Sequence, residues 1–155
     1  MKDSVSQTLA LEAATIRQFV ELLKLEQASL STGPADELLA LIDQKDKLTI
    51  QINSLAAQRN KSLGAEGFAP DRIGVEAWCA KHPTEKTASN AWKSILSLAN
   101  DARELNRLNG ELIQIRLQYN NKALEALQGG KKALDLYGPD GQSTTHAHRR
   151  INHAV

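Results

Sequence analysis

Apolar residues recur at helical spacing along most of the chain, and no stretch alternates apolar with polar residues as a surface β-strand would. The first run predicts an amphipathic helix from about Ser4 to Leu30. We place its charged residues, among them Glu12 and Glu26, mostly on the opposite, solvated face. The predicted seam of this helix consists of Val5, Leu9, Ala13, Ile16, Val20, Leu23 and Leu30.

A second run predicts a helix from about Pro34 to Leu63. Pro34 suits a first helical turn, and Gly64 is well placed as a left-handed stop. The predicted seam of this second helix consists of Leu38, Leu41 or Ile42, Leu48, Ile52, Leu55 and Leu63. Because only a short turn separates the first two helices, we expect them to form an antiparallel hairpin.

The segment 64–84 differs from its surroundings, because three glycines and two prolines fall within it. We expect a flexible connection there that carries one apolar plug. The plug is a short helix at about 71–81, with Ile73, Ala77 and Trp78 on one side.

A long helix then opens at Thr84 or Thr87 and ends near Gln128, before a break at Gly129-Gly130. At a rise of 1.5 Å per residue, such a helix is about 60 Å long. A helix of this length is stable only where a partner covers its apolar stripe, and the hairpin is too short to cover all of it. Residues 129–155 continue no core pattern and are expected to form a mobile tail.

These elements predict an all-α protein. We expect an elongated antiparallel helical bundle or coiled coil with three main helices, a short extra helix and a flexible C-terminal tail. The predicted division is a bundle domain at 1–128 and a tail with a docking motif at 129–155. Aromatic residues make up only 4% of the chain, which suits a thin bundle whose seam is filled by Leu, Ile and Ala.

Charge and hydropathy narrow the class of partners. The 19 basic and 18 acidic residues give a net charge of +1, which argues against a nucleic-acid-binding surface. The sequence has neither the apolar core of a signal peptide near its N-terminus nor an apolar run long enough to span a bilayer. We therefore expect a cytoplasmic protein without stable membrane insertion.

Few residues are candidates for metal binding or catalysis. His146, His148 and His153 could bind Zn²⁺ or Ni²⁺, but no carboxylate or thiol ligand is near them in sequence, which favours a solvated polar tail. The single cysteine, Cys79, could be a nucleophile of lowered pKa, although a buried structural thiol beside Trp78 is the better interpretation. No glycine-rich phosphate loop, carboxylate pair or metal-binding helix motif is present, so we predict no enzymatic activity, cofactor or metal site.

Asn106, Asn109 and Gly110 are unusual inside a predicted helix. A glycine in an exposed helix interior costs about 1 kcal/mol relative to alanine. One interpretation is a close helix crossing at Gly110, with the asparagines hydrogen-bonding across it. The other is a direct role of the two asparagines in binding, and the sequence leaves both open.

An apolar set occupies the C-terminal part of the chain: Leu124, Leu127, Leu134, Leu136 and Tyr137. Leu124 and Leu127 continue the seam of the long helix and could fold back onto the bundle. Leu136 and Tyr137 follow the predicted helix break, where no core pattern continues. Apolar side chains on a segment too short to fold favour docking of a partner.

Three stretches stand out when the C-terminal half is taken together: Leu105-Asn106-x-x-Asn109-Gly110-x-Leu112, Tyr119-Asn120-x-x-Ala123-Leu124-x-x-Leu127 and Leu136-Tyr137-Gly138-Pro139-Asp140-Gly141-Gln142. They resemble the FlgN family, the flagellar type III export chaperones for the hook–filament junction proteins. The last stretch is the most specific, and the helical hairpin is compatible but generic. The resemblance is diagnostic over roughly residues 92–142, and the Gly/Pro-rich connection at 64–84 departs from it.

This resemblance implies a helical chaperone in the bacterial cytoplasm. It would bind flagellar hook-associated (hook–filament junction) subunits, prevent their premature assembly and deliver them to the type III export gate. The implied residues are Asn106, Asn109, Leu124, Leu127 and Leu134 for subunit binding, and Leu136 and Tyr137 for docking on the cytoplasmic domain of the gate. The export ATPase complex is a further candidate partner. The alternative is a homodimeric coiled-coil structural or scaffold protein, joined through the 84–128 seam, without an export role.

Overall fold

The structure, a computed structural model, describes residues 4–135. It contains four helices: α1 (Val5–Thr32), α2 (Ala35–Ala65), α3 (Arg72–Lys81) and α4 (Lys86–Asp135). No strand occurs among these residues, and the predicted all-α class with three main helices and one short helix is confirmed. The chain divides into two compact units, 1–113 and 114–155.

α1 begins at a capping box and contacts other helices on two faces. Ser4 Oγ accepts a hydrogen bond from the Gln7 backbone N–H at 3.1 Å, and Gln7 Oε1 accepts one from the Ser4 backbone N–H at 3.3 Å. All seven predicted seam residues of α1 are buried, so that prediction is confirmed. Thr8, Thr15 and Leu22 are buried on a second face, which makes α1 the helix around which the first unit is built.

α2 follows the turn at Gly33 and Pro34, and its seam residues are less deeply buried than those of α1. Its predicted seam residues Leu38, Leu41, Leu48, Ile52 and Leu55 are half-buried, and Leu63 is fully buried. Ile42, the alternative to Leu41, is 41% exposed. The hairpin of α1 and α2 therefore closes over the α1 side chains while leaving much of α2 in contact with solvent.

α2 ends at a Schellman motif built on Gly67. The Gly67 N–H donates to Gly64 O at 3.1 Å, and the Phe68 N–H donates to Leu63 O at 2.9 Å. Gly67 has a φ of 83°, in the left-handed region that favours glycine, whereas Gly64 lies inside the helix. The prediction of Gly64 as the left-handed stop is therefore wrong. Phe68 packs against the core and holds the turn at the later position.

The segment 64–84 has a defined path through α3, although most of its residues are exposed, which corrects the prediction of a flexible connection. Asp71 Oδ1 accepts a hydrogen bond from the Gly74 backbone N–H at 2.9 Å and caps α3. Trp78 Nε1 donates to Glu66 Oε2 at 2.6 Å, which ties α3 back to the end of α2. Backbone and side-chain hydrogen bonds thus fix the path of this segment.

The buried face of α3 differs from the predicted one. Trp78 is buried as predicted, together with Gly74 and Val75, whereas Ile73 and Ala77 are exposed, Ile73 by 72%. The physical reason is a close backbone contact at Gly74. A Cβ there would lie 1.7 Å from the carbonyl oxygen of Ala69, so only glycine permits this approach, and it turns Ile73 outward.

The hydrophobic core of the first unit lies where all four helices meet. Its buried members are Val5, Leu9, Ala13, Ile16, Leu63, Val75, Trp78, Ala88, Ala91, Trp92 and Ile95. These residues come from the first half of α1, the end of α2, the middle of α3 and the start of α4. The apolar plug predicted within 64–84 is therefore confirmed, since α3 contributes Val75 and Trp78 to the core.

α4 runs from Lys86 through Gly129-Gly130 to Asp135. The predicted helix end near Gln128 and the break at the two glycines are therefore wrong. Each glycine costs only about 1 kcal/mol in a helix, Lys131 to Leu134 are strong helix formers, and no proline occurs between Gly130 and Pro139. The division into a domain at 1–128 and a tail at 129–155 remains a prediction.

Candidate partner-binding surface

Two buried polar layers cross the first unit. In the first layer, the Glu12 carboxylate of α1 pairs with Arg59 Nη1 of α2, and the side chains are only 4% and 12% exposed. The Arg59 guanidinium carbon lies 5.6 Å from the centroid of the Trp92 ring of α4, within cation–π range. Burial raises the pKa of the Glu12 carboxyl, while the charge of Arg59 and its hydrogen bond act in the opposite direction.

The second layer joins the same three helices at Glu26. Asn109 Nδ2 of α4 donates to Glu26 Oε1 at 2.9 Å and to the backbone oxygen of Leu23 at 3.0 Å. Lys45 Nζ of α2 lies 3.4 Å from the same carboxylate oxygen and is 27% exposed. We call the group Glu26, Lys45 and Asn109 the distal polar layer.

Both layers form at the same alignment of α1 against α2 in the antiparallel hairpin. The number of residues from Glu12 to Glu26 in α1 equals the number from Lys45 to Arg59 in α2, as an antiparallel pair of helices requires. A slip of either helix would separate both acid–base pairs at once. Buried polar contacts of this kind can specify register in helical bundles.

The expectation that Glu12 and Glu26 lie on the solvated face of α1 is wrong, since each is 3% exposed. Sequence reasoning missed this polar network. A signal was present in the spacing, because Glu12 and Glu26 each fall three positions after a seam residue, at Leu9 and Leu23.

The second unit presents an uncovered helical surface. Every residue from Leu117 to Gly129 is exposed, although this part of α4 carries several large apolar side chains. Those most exposed are Tyr119 at 73%, Leu124 at 52% and Leu127 at 85%, and Ile115, just before this stretch, is 61% exposed. Exposed apolar groups this close together on one helix are typical of a surface that binds another chain.

The two asparagines in the first unit take different positions. Asn106 is exposed on α4, whereas Asn109 is 1% exposed and bonded to α1 in the distal polar layer. Of the two open interpretations, hydrogen bonding across a helix crossing therefore describes Asn109. The crossing is not close at Gly110, because a Cβ added there would meet nothing within 4 Å, so that part of the interpretation is wrong.

Only some of the remaining predicted site residues lie within the part of the chain that the structure describes. Leu124 and Leu127 lie on the uncovered part of α4. The side chain of Leu134 lies outside the described residues, as do Leu136 and Tyr137. Their assignment to subunit binding and gate docking stays a prediction, as does the role of the tail histidines.

Residues 4–135 contain few other candidates for metal binding or catalysis. No group of three or more His, Cys, Asp or Glu side chains there could hold a metal ion. Cys79 is half-buried, and burial, with a smaller effect of Glu76, raises the pKa of its thiol, which disfavours a reactive thiolate. None of the described helices is long and apolar enough to cross a membrane.

The fold and this surface define a class: an all-α bundle whose last helix carries an uncovered apolar stretch. The FlgN family model, described as FlgN protein, matches residues 1–145, and the chain belongs to this family. The Flagella synthesis protein FlgN of Salmonella typhimurium is 29% identical over 126 residues, which cover 80% of this chain and 78% of that protein. The Flagella synthesis protein FlgN of Proteus mirabilis is 23% identical over 143 residues, 92% of each chain.

No solved structure matches the chain. The suggested family resemblance is confirmed by the family match and by these relatives. Membership of the FlgN family supports a role in flagellum assembly, and this family is not a family of enzymes.

Proposed function

We propose that this protein is a cytoplasmic export chaperone of the flagellum. It binds hook–filament junction subunits, covers their terminal helices against premature assembly and delivers them to the type III export gate. Family membership supports the flagellar setting. The observation that carries the chaperone role is the uncovered apolar surface of α4 between Gln114 and Gly129.

The spacing of this surface suits a helical partner. Leu117, Asn120, Leu124 and Leu127 follow one another at intervals of three, four and three residues, which align on one face of a helix. We call these four residues the distal stripe. A subunit that assembles through amphipathic terminal helices must keep their apolar faces covered beforehand, and a helix with this stripe can do so by side-by-side packing.

The contribution of the stripe can be estimated from its exposure. Leu127 is 85% exposed, and burial of a leucine side chain is worth about 2 kcal/mol, or roughly thirtyfold in affinity. Truncation of Leu127 to alanine should therefore weaken subunit binding by roughly that factor. Since the side chain supports no core, the melting temperature should not change.

A charge on the stripe gives the sharper test. Leu127→Asp should abolish binding of junction subunits in calorimetry, because a buried unpaired carboxylate is strongly disfavoured. Leu39→Asp is the matched control, since Leu39 on α2 is also an exposed leucine, at 66%. Equal binding by wild type and Leu127→Asp would show that the subunit site lies elsewhere, and equal loss in both variants would remove the assignment to α4.

Docking on the export gate is the second part of the proposal. We assign it to Leu136 and Tyr137, which follow α4 in sequence, with the export ATPase complex as a further candidate partner. Tyrosine is enriched at interface hot spots, where truncation costs about 2 kcal/mol or more. Tyr137→Ala should keep the subunit complex but lose binding to the cytoplasmic domain of the gate, whereas a fall in melting temperature would contradict a docking role.

One observation favours a second candidate, a homodimeric coiled-coil scaffold. Asn120 lies within the distal stripe, and a single asparagine in a coiled-coil seam favours dimers of fixed register. Light scattering at several concentrations separates the two candidates. A stable dimer without affinity for junction subunits would support the scaffold, and a monomer that binds them would support the chaperone.

A further inference from the structure

α4 is held to the first unit in two different ways along its length. Near its start, Ala88, Ala91, Trp92 and Ile95 are buried in the four-helix core. Between Ile95 and Gly129, Asn109 alone is buried among the described side chains. The early part of α4 is thus held by apolar packing, whereas the part around Asn109 is anchored by a polar contact.

That polar contact is incompletely satisfied. Asn109 Nδ2 has two acceptors, but Asn109 Oδ1 is buried with no hydrogen-bond partner among the described residues. A buried amide oxygen without a donor is costly, so part of what the contact contributes is offset by this atom. Water could solvate Asn109 Oδ1 as soon as α4 moves away.

The other members of the distal polar layer also allow separation. Lys45 comes from α2 and is 27% exposed, so it can stay paired with Glu26 when α4 leaves. The Glu26 carboxylate therefore keeps a basic partner when α4 has moved away. The leucines that accompany Asn109 on α4, namely Leu105, Leu108 and Leu112, are only half-buried, so little apolar contact is lost on each.

We infer that the distal polar layer is a latch: residues 99–113 of α4 detach from the hairpin and unwind as a local unit while residues 88–95 stay docked. Unwinding accompanies detachment because a short helical segment without a packed partner is only marginally stable. The open state uncovers Leu23 of α1, which is fully buried when the latch is closed. Local opening of this kind occurs where buried apolar contacts are few. This opening occurs in the free protein and is independent of what the distal stripe binds.

Hydrogen exchange followed by mass spectrometry tests the latch. In the free protein, amides of residues 99–113 should exchange at least about tenfold faster than amides of residues 88–95, although both lie in one helix of the same unit. If the two segments exchange at the same rate, α4 opens only with the whole unit and there is no latch.

An isosteric pair of variants locates the latch at Asn109. Asn109→Asp replaces a donor with a carboxylate beside Glu26 and should speed exchange of residues 99–113 by about tenfold or more, leaving residues 88–95 unchanged. Asn106→Asp makes the same change on the exposed face and should alter neither segment. Faster exchange of both segments in Asn109→Asp, or an equal effect of Asn106→Asp, would overturn the inference.

A third variant removes the polar contact without adding a charge. Asn109→Leu keeps a side chain of similar size but loses both hydrogen bonds to α1, so Glu26 Oε1 loses a buried donor. It should speed exchange of residues 99–113 severalfold and leave residues 88–95 unchanged. Unchanged exchange in residues 99–113 would show that Asn109 does not control the opening.

Discussion

Replacing Arg59 with methionine should destabilise the first unit strongly, because it leaves the Glu12 carboxylate buried without its partner. Glu12 is 4% exposed as a side chain, and Arg59 Nη1 is its hydrogen-bond donor. Breaking a buried ion pair by removing one partner costs about 3–5 kcal/mol, since the remaining charge stays in a medium of low polarity. Loss of the cation–π contact with Trp92 adds to this figure.

The loss of folding stability in Arg59→Met should depend on pH in a defined direction. Burial raises the pKa of the Glu12 carboxyl above its ordinary value of 4.5, so folding favours the protonated form. The resulting stabilisation is fully present below the unfolded pKa and is lost as pH rises through the folded pKa. Without Arg59 the folded pKa rises further, so the deficit of Arg59→Met should be largest at neutral pH and should shrink as pH falls toward 4.5.

Urea denaturation followed by circular dichroism at pH 7 and pH 5 measures both effects. Arg72→Met is the matched control, because it breaks an exposed pair with Glu76 and should cost less than about 1 kcal/mol. The double variant Glu12→Leu/Arg59→Met should recover most of the loss, since buried pairs are often replaceable by apolar residues. A loss below about 1 kcal/mol in Arg59→Met, or a double variant as unstable as the single one, would refute the reasoning.

Three further substitutions test the local structure by thermal or urea denaturation. Gly74→Ala should destabilise by about 2 kcal/mol or more, because its Cβ would overlap the Ala69 backbone; a neutral result would contradict that contact. Gly110→Ala should stabilise by up to about 1 kcal/mol, since the site is open and helical, whereas a loss would indicate a close crossing. Ser4→Ala should cost about 1 kcal/mol through loss of the capping box, and Ser4→Asp should restore most of it.

The seam of α1 could be predicted from the sequence because helical periodicity and burial coincide there, as at Leu9 and Leu23. The pairing of Glu12 with Arg59 could not, since 47 residues separate them and no local signal connects the two charges. The buried face of α3 could not be predicted either, because it depends on a backbone contact at Gly74 that only the folded chain creates.

The candidate surface was partly predictable as well. Leu124 and Leu127 could be singled out as apolar residues late in a long helix, and both lie on its uncovered part. Asn109 could be singled out as unusual, but its position inside the bundle depends on Glu26 and Lys45, which arrive from two other helices. The continuation of α4 past Gly129-Gly130 was missed because a glycine pair weakens a helix without ending it.

We propose that the uncovered part of α4 binds hook–filament junction subunits. The most direct measurement mixes the purified chain with a purified junction subunit and follows the mixture by size-exclusion chromatography with light scattering. We predict a soluble complex of defined mass that Leu39→Asp still forms and Leu127→Asp does not. Separate elution of the wild-type chain and the subunit would contradict the claim.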